Sequence, residues 1–206
     1  MSHLTVVILG TQSSGMPHAA ALQAANPEVD IRLVMAPEDV GEARKVLWRN
    51  CDRNIRDWWI QSRDTTDAER VLFLEWDVFC NVPLRDVMPW TPADMVGAWM
   101  ATAVRDGRTW PGFREAARLP RSIQHHAVGI WPSAVLLFSR ACLDAIADPQ
   151  WADVYERDIL SEIRTATIAR ACGFTVGSCD QWSQVTVHPR PLPAGASGIY
   201  HPIKRI

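Results

Sequence analysis

The run Val71-Leu-Phe-Leu-Glu-Trp-Asp-Val-Phe-Cys80 limits the choice of fold more than any other part of this chain. Its first four residues are all large and apolar, so a strand built from them has no polar face to give to water. Such strands occur where a sheet is covered by helices on both sides. Two further runs read the same way: Leu4-Thr-Val-Val-Ile-Leu9, which stops at Gly10, and Ile31-Arg-Leu-Val-Met35, closed by Ala36-Pro37. Helical spacing fills the intervals. Pro17 to Ala25 is helix-like, with the proline tolerated in the first turn. Between Glu38 and Ser62 the residues Val40, Ala43, Val46, Leu47, Ile55, Trp58 and Trp59 recur at helical period, as one long helix or two in succession. Strand and helix in alternation predict a single α/β domain, Rossmann-like, with a mainly parallel sheet flanked by helices.

After Pro83 the signals shorten, and Pro89, Pro92, Pro111 and Pro120 punctuate the chain. Asp94 to Trp99 reads as a short strand, and Val128 to Ser139 as another that leads into a helix over Arg140 to Ala147. Asp158 to Cys172 is a helix ended by Gly173, and Phe174 to Gly177 a last short strand. Arg105 to Gln124, with two glycines and five arginines, is expected to be a mobile loop or a short helical segment.

Composition excludes some functions. The net charge is −2, with both signs mixed along 206 residues, so no general affinity for nucleic acid follows. Five cysteines, an odd number without a CxxC, predict buried thiols in a reducing compartment. MSHLTVVILG lacks the basic start of a signal peptide, and no apolar stretch nears the roughly 20 residues that span a bilayer. A cytoplasmic protein without a transmembrane segment is the expectation. Ten tryptophans serve a core, an interface or flat stacking surfaces for sugars and bases.

What remains unexplained is the pair of carboxylates, Glu75 and Asp77, at the end of an apolar strand. A buried charge is costly unless paired, protonated or metal-bound. Ligands of open α/β sheets bind beyond the carboxyl ends of strands, where these acids fall. Residues two apart share a strand face, so both can reach one hard cation. The plainer alternative is pairing with an arginine or capping of the next turn.

The order of strand, Gly/Thr loop, helix, strand, long helix and apolar strand ending in acid-x-acid resembles the GT-A fold of nucleotide-sugar glycosyltransferases. In that family an "hhhhDxD" pattern carries the metal; here Glu75 stands where its first aspartate would be. Cys51-Asp-Arg-Asn-Ile-Arg56 resembles the family's "ARN" segment, Trp131 to Ser139 its "NSGVLLF" strand, and Gly198 to Lys204 its late His-containing segment. The resemblance spans Leu4 to Lys204. It implies a donor-binding half over about 1–100, an acceptor half over about 101–190 and a tail over 191–206.

The resemblance also implies roles. Asp77, Glu75 and His201 would hold Mn²⁺ or Mg²⁺, with Thr11, Gln12, Arg53, Asn54, Trp76 and Lys204 near a UDP- or GDP-sugar donor. Trp131 and Ser133 would border the sugar pocket. Glu162 would take the proton of the acceptor hydroxyl if the enzyme inverts; its plainer reading is a helix acid paired with Arg164 or Arg157. The acceptor would be a glycan, a lipid-linked sugar or a small molecule, and a homodimer is compatible with the chain. Two other readings stand beside this one. A catalytically inactive sugar- or nucleotide-binding or assembly protein is one. The other is a sugar nucleotidyltransferase, weakened because Leu9 to Gly15 has glycines but neither Lys nor Arg. His125 and His126 are expected to point apart, as neighbours do on a strand or a helix.

Overall fold

The computed structural model describes residues 4–11, 19–36, 50–89, 91–102 and 110–203. The three apolar runs form strands β1 (Leu4–Thr11), β2 (Asp30–Ala36) and β3 (Arg70–Glu75). With β5 (Met95–Gly97), β8 (Val135–Ser139) and β9 (Val176–Ser178) they build a six-stranded sheet ordered β2-β1-β3-β8-β5-β9. Strand β1 runs parallel to β2 and β3, β5 parallel to β9, and β8 antiparallel to both its neighbours. The sheet is therefore mainly parallel, with β8 reversed.

Alternation along β3 explains its composition. Val71 and Phe73 face one core with Ile55 and Trp59 of helix α2 (Cys51–Ser62) and Ile163 of the Ser161–Ala171 helix. Leu72 and Leu74 face the other, with Val6, Ile8, Leu84, Trp182 and with Leu22 of helix α1 (Ala19–Ala25). All four β3 residues are at most 2% exposed, as a strand buried on both faces requires.

Two expected strands are each split in the structure. Val128 to Ser139 divides into β7 (Val128–Trp131) and β8, with Pro132, Ser133 and Ala134 between them. Proline has no N–H for a ladder, and the Ala134 carbonyl accepts instead from the Glu75 N–H at 2.9 Å. Asp94 to Trp99 divides into β5 and β6 (Trp99–Thr102), and β6 pairs antiparallel with β7 as a separate two-stranded sheet. Gly97 lies at the end of β5 because a Cβ there would come within 2.0 Å of Ile130 Cγ2. Strands β4 (Phe79–Cys80), β10 (Val185–Arg190) and β11 (Ile199–Ile203) form a third sheet, ordered β10-β11-β4.

Of the segment expected as loop or short helix, 105–109 lie outside the described residues. The remainder includes a 3-10 helix over Pro111–Arg118. It is docked through buried Trp110, Leu119 and Ile123. The Glu115 carboxylate accepts from the Leu160 N–H at 2.6 Å, just before the Ser161–Ala171 helix. The helix after β8, numbered α4 here after α3 (Leu84–Val87), runs Arg140–Ile146, its first turn capped by Ser139 accepting from the Cys142 N–H. Helices α5 (Ala152–Tyr155) and α6 (Ser161–Ala171) follow. Gly173, with φ of 88°, takes the left-handed turn that ends α6. No described helix is long and apolar enough to cross a membrane.

Candidate metal centre and flanking acid

At the carboxyl end of β3 the chain turns at once: the Val78 N–H donates to the Glu75 carbonyl at 3.0 Å, which brings Asp77 back beside Glu75. The third group comes from far along the chain. Strand β11 pairs antiparallel with β4, Tyr200 opposite Phe79 and Ile199 opposite Cys80, so His201 is carried toward the same turn. Its Nε2 lies 3.3 Å from Glu75 Oε2 and 3.3 Å from Asp77 Oδ1. One ligand atom from each of the three residues falls within 4.8 Å of the others.

The imidazole is held from behind. Nδ1 sits 2.7 Å from the Thr186 carbonyl, which can only accept, so Nδ1 carries hydrogen and Nε2 faces the carboxylates. A backbone carbonyl on the far nitrogen is the usual way a ligating histidine is oriented. Burial works against the charge of this ring, but hydrogen bonding and attraction from Asp77 and Glu75 outweigh it and push His201 up to about 9. Without a cation, a proton therefore occupies the place between the two acids. The 3.3 Å contact from His201 is too long and bent to satisfy Asp77 Oδ1, which is buried with no well-formed hydrogen bond among the described residues. An orphaned buried carboxylate oxygen beside a carboxylate and an oriented imidazole is a donor set that suits a divalent cation such as Mn²⁺ or Mg²⁺.

Beside this centre lies a buried polar group. Cys51 Sγ is 3.3 Å from Ser133 Oγ and 3.4 Å from Ser161 Oγ, and the Ser161 hydroxyl donates to Glu162 Oε2 at 3.0 Å. Burial raises the Glu162 carboxyl to about 7 against its hydrogen bonds, and the charges of Glu75 and Asp52 add to the rise. The Cys51 thiol is pushed well above its ordinary value by burial, then by Glu75, Asp52 and Glu162. These acids thus share one electrostatic neighbourhood.

The other sequence-marked residues fall as follows. Arg53 and Asn54 are half-buried in the first turn of α2, and Arg53 Nε has no hydrogen-bond partner among the described residues. Trp76 is half-buried in the turn between Glu75 and Asp77. Ser133 is 8% exposed, and Trp131 stands edge-on to Trp99 with ring centres 5.8 Å apart. Thr11 closes β1, opposite Ala36. Gln12 and Lys204 lie outside the described residues. His125 and His126 do not diverge: they sit on a three-residue 3-10 turn, neither strand nor α-helix, and their ring centres are 3.9 Å apart.

Neither Arg164 nor Arg157 pairs with Glu162. Arg157 donates to the Arg118 carbonyl, and Arg164 forms a buried ion pair with Asp52. Sequence reading missed this pair. Arg164 alone carried a signal, as the one charge in the stretch Ile163 to Ala169, but nothing in the sequence pointed to Asp52 as its partner.

No family model matches the chain, and neither does any curated protein. Among solved structures it is similar to the galactosyltransferase LgtC in complex with donor and acceptor sugar analogues. That match has 14% identity and a TM-score of 0.43, covering 84% of this chain and 72% of the other. It is also similar to a glycosyltransferase involved in glycosylation of the major capsid of PBCV-1, at 13% identity and TM-score 0.49, covering 90% and 85%. A third is the mannosyltransferase PcManGT from Pyrobaculum calidifontis in complex with GDP-Man and Mn²⁺, at 12% identity and TM-score 0.42, covering 86% and 56%.

Proposed function

We propose that this chain is a metal-assisted glycosyltransferase that moves a sugar from a nucleotide-diphosphate donor to an acceptor hydroxyl. The observation that carries the reading is the convergence of Glu75, Asp77 and His201 at the carboxyl end of β3, with Asp77 Oδ1 buried and unsatisfied. These three residues would hold Mn²⁺ or Mg²⁺, which when bound stabilises negative charge on a departing diphosphate. The chain's own groups account for the rest. Arg53 brings a positive charge whose Nε has no partner among the described residues, and Asn54 shares its helical turn. Thr11, Gln12, Trp76 and Lys204 are assigned to the UDP- or GDP-sugar, and Trp131 and Ser133 to the transferred sugar.

Glu162 is assigned the acceptor proton. Its carboxyl, raised to about 7, is poised to take a proton near neutral pH, close to where a general base works best. Donor binding falls to the first half of the chain, the acceptor to the second, and the location we assign is cytoplasmic.

Calorimetry with UDP and GDP, with and without Mn²⁺, tests the metal and the nucleotide together. Nucleotide binding that requires Mn²⁺ and is lost in Asp77→Asn is expected. Equal affinity with and without the metal would sink the proposal. Release of nucleoside diphosphate in the presence of acceptors then separates a catalyst from a binder.

A further inference from the structure

The buried pair Asp52–Arg164 touches none of the groups assigned to metal, donor or acceptor, yet its two residues flank them in sequence. Asp52 adjoins Cys51 and Arg53 on α2, and Arg164 lies two residues beyond Glu162 on α6. Every N–H of the guanidinium is used. Nε donates to Asp52 Oδ2 at 2.8 Å, and Nη2 donates to Asp52 Oδ1 at 2.5 Å and to Asn50 Oδ1 at 3.2 Å. Nη1 donates to the carbonyls of Tyr155 at 3.2 Å and Arg157 at 2.8 Å. Asp52 Oδ2 accepts a further bond from the Thr165 hydroxyl at 2.7 Å. The two side chains are 0% and 1% exposed.

Stability alone does not call for such a pair. Desolvating two charges offsets most of their attraction, and well-packed apolar residues of similar size often serve a core as well or better. What apolar residues lack is direction. A two-pronged guanidinium–carboxylate contact fixes distance, angle and register between the elements that carry it. Here those elements are α2, with Arg53 and Asn54, and α6, with Glu162. A second link closes the ring: Cys51 contacts Ser161, whose hydroxyl holds the Glu162 carboxylate.

We propose that Asp52 and Arg164 are positioning residues, which lock α2 to α6 so that the Glu162 carboxyl is held in its buried place beside the metal centre. The claim rests on the reading of Glu162 as the group that takes the acceptor proton. It makes neither residue catalytic, because they act only through Glu162 and the α2 turn.

The test replaces both charges with apolar side chains, Asp52→Leu together with Arg164→Met, so that no buried charge is left alone. Three readouts are taken on the full chain: thermal unfolding, kcat and KM for donor turnover, and a carbon-13 carboxyl NMR titration of Glu162, assigned with Glu162→Gln. The expected result is a folded protein with donor KM within about threefold of the parent and kcat lower by about thirtyfold or more, the scale on which small misplacements act. The Glu162 midpoint, about 7 in the parent, should fall by at least about one pH unit. Part of that fall comes from losing the Asp52 charge, and a fall in Arg164→Lys, which keeps that charge, isolates the part due to the carboxyl leaving its buried place. Arg164→Lys, which keeps the charge but not the fork, should lie between parent and double variant.

A double variant with parental kcat and an unmoved Glu162 midpoint overturns the proposal. So does a double variant that fails to fold, since the pair would then be a scaffold rather than a positioning device. Absence of parental turnover with any nucleotide sugar would instead reject the transferase reading, and the Glu162 titration would still decide the placement.

Discussion

Asp52 and Asp77 are both carboxylates withdrawn from water, and their surroundings treat them in opposite ways. Asp52 receives the Arg164 fork and the Thr165 hydroxyl, so its charge is matched and its lone pairs are occupied. Asp77 faces another carboxylate and an imidazole, and its Oδ1 accepts no well-formed hydrogen bond. The first site is electrostatically complete and can be shut away, with both partners at most 1% exposed. The second keeps 16% of Asp77 and 23% of Glu75 open to solvent and leaves acceptor capacity unused. Around Asp77 and Glu75 the only close positive group among the described residues is the titratable His201, whereas Asp52 has a permanent guanidinium matched to both of its oxygens.

The contrast can be broken experimentally, and the largest effect is expected in the complete site. Arg164→Ala strands the Asp52 carboxylate in the core and should cost about 3–5 kcal/mol of stability, read by urea unfolding. A loss under about 1 kcal/mol would mean that Asp52 was never dependent on its partner. In the incomplete site the corresponding change should leave the fold alone. Asp77→Asn should lower Mn²⁺ affinity by about 100-fold, or about 2.7 kcal/mol, while shifting the metal-free melting temperature little. Unbound Mn²⁺ followed by electron paramagnetic resonance measures the affinity, and parental binding in this variant would erase the distinction drawn above.

A third effect, of the same size, follows from linkage. Mn²⁺ at about 100 times its Kd should add about 2.7 kcal/mol to the parent, which for a chain of this size is several degrees of melting temperature. His201→Ala should lose most of that gain; an equal gain would show that His201 is not a ligand.

The last effect concerns Glu162 and pH. Its folded-state value is raised from 4.5 to about 7, so the fold prefers the protonated acid. That preference contributes stability in full below about 4.5 and is lost as pH rises through about 7. A base must be ionised, so kcat should rise toward pH 7 and level off above it. Glu162→Gln should remove both this limb of the rate profile and the matching loss of stability. A rate limb that survives in Glu162→Gln belongs to another group.

Legibility followed the range of the forces involved. β3 could be read because four apolar residues in a row carry their own reason to be buried. The split of Val128 to Ser139 was half-legible: Pro132 marks the break, but only the three-dimensional arrangement shows that β7 leaves for β6 while β8 enters the central sheet. Glu75 and Asp77 announced themselves as acids out of place. The partner of Asp52 did not, because an ion pair between residues 112 apart in sequence leaves no local periodicity to detect. The plainer reading of Glu162 paired it with Arg164 or Arg157, and both are engaged elsewhere.

The sequence by itself determined the alternating strands and helices, the two-sided burial of β3 and the presence of two acids at its end. Those depend on side chains adjacent in the chain, whose hydrophobicity and spacing act before any distant contact forms. Only the tertiary structure decided which groups meet: His201 reaches Glu75 and Asp77 because β11 pairs with β4, and Arg164 reaches Asp52 because α6 packs against α2 on one face of the sheet. Register and helix packing are set by the whole core at once, and the chemistry of a site assembled from distant segments is settled with them.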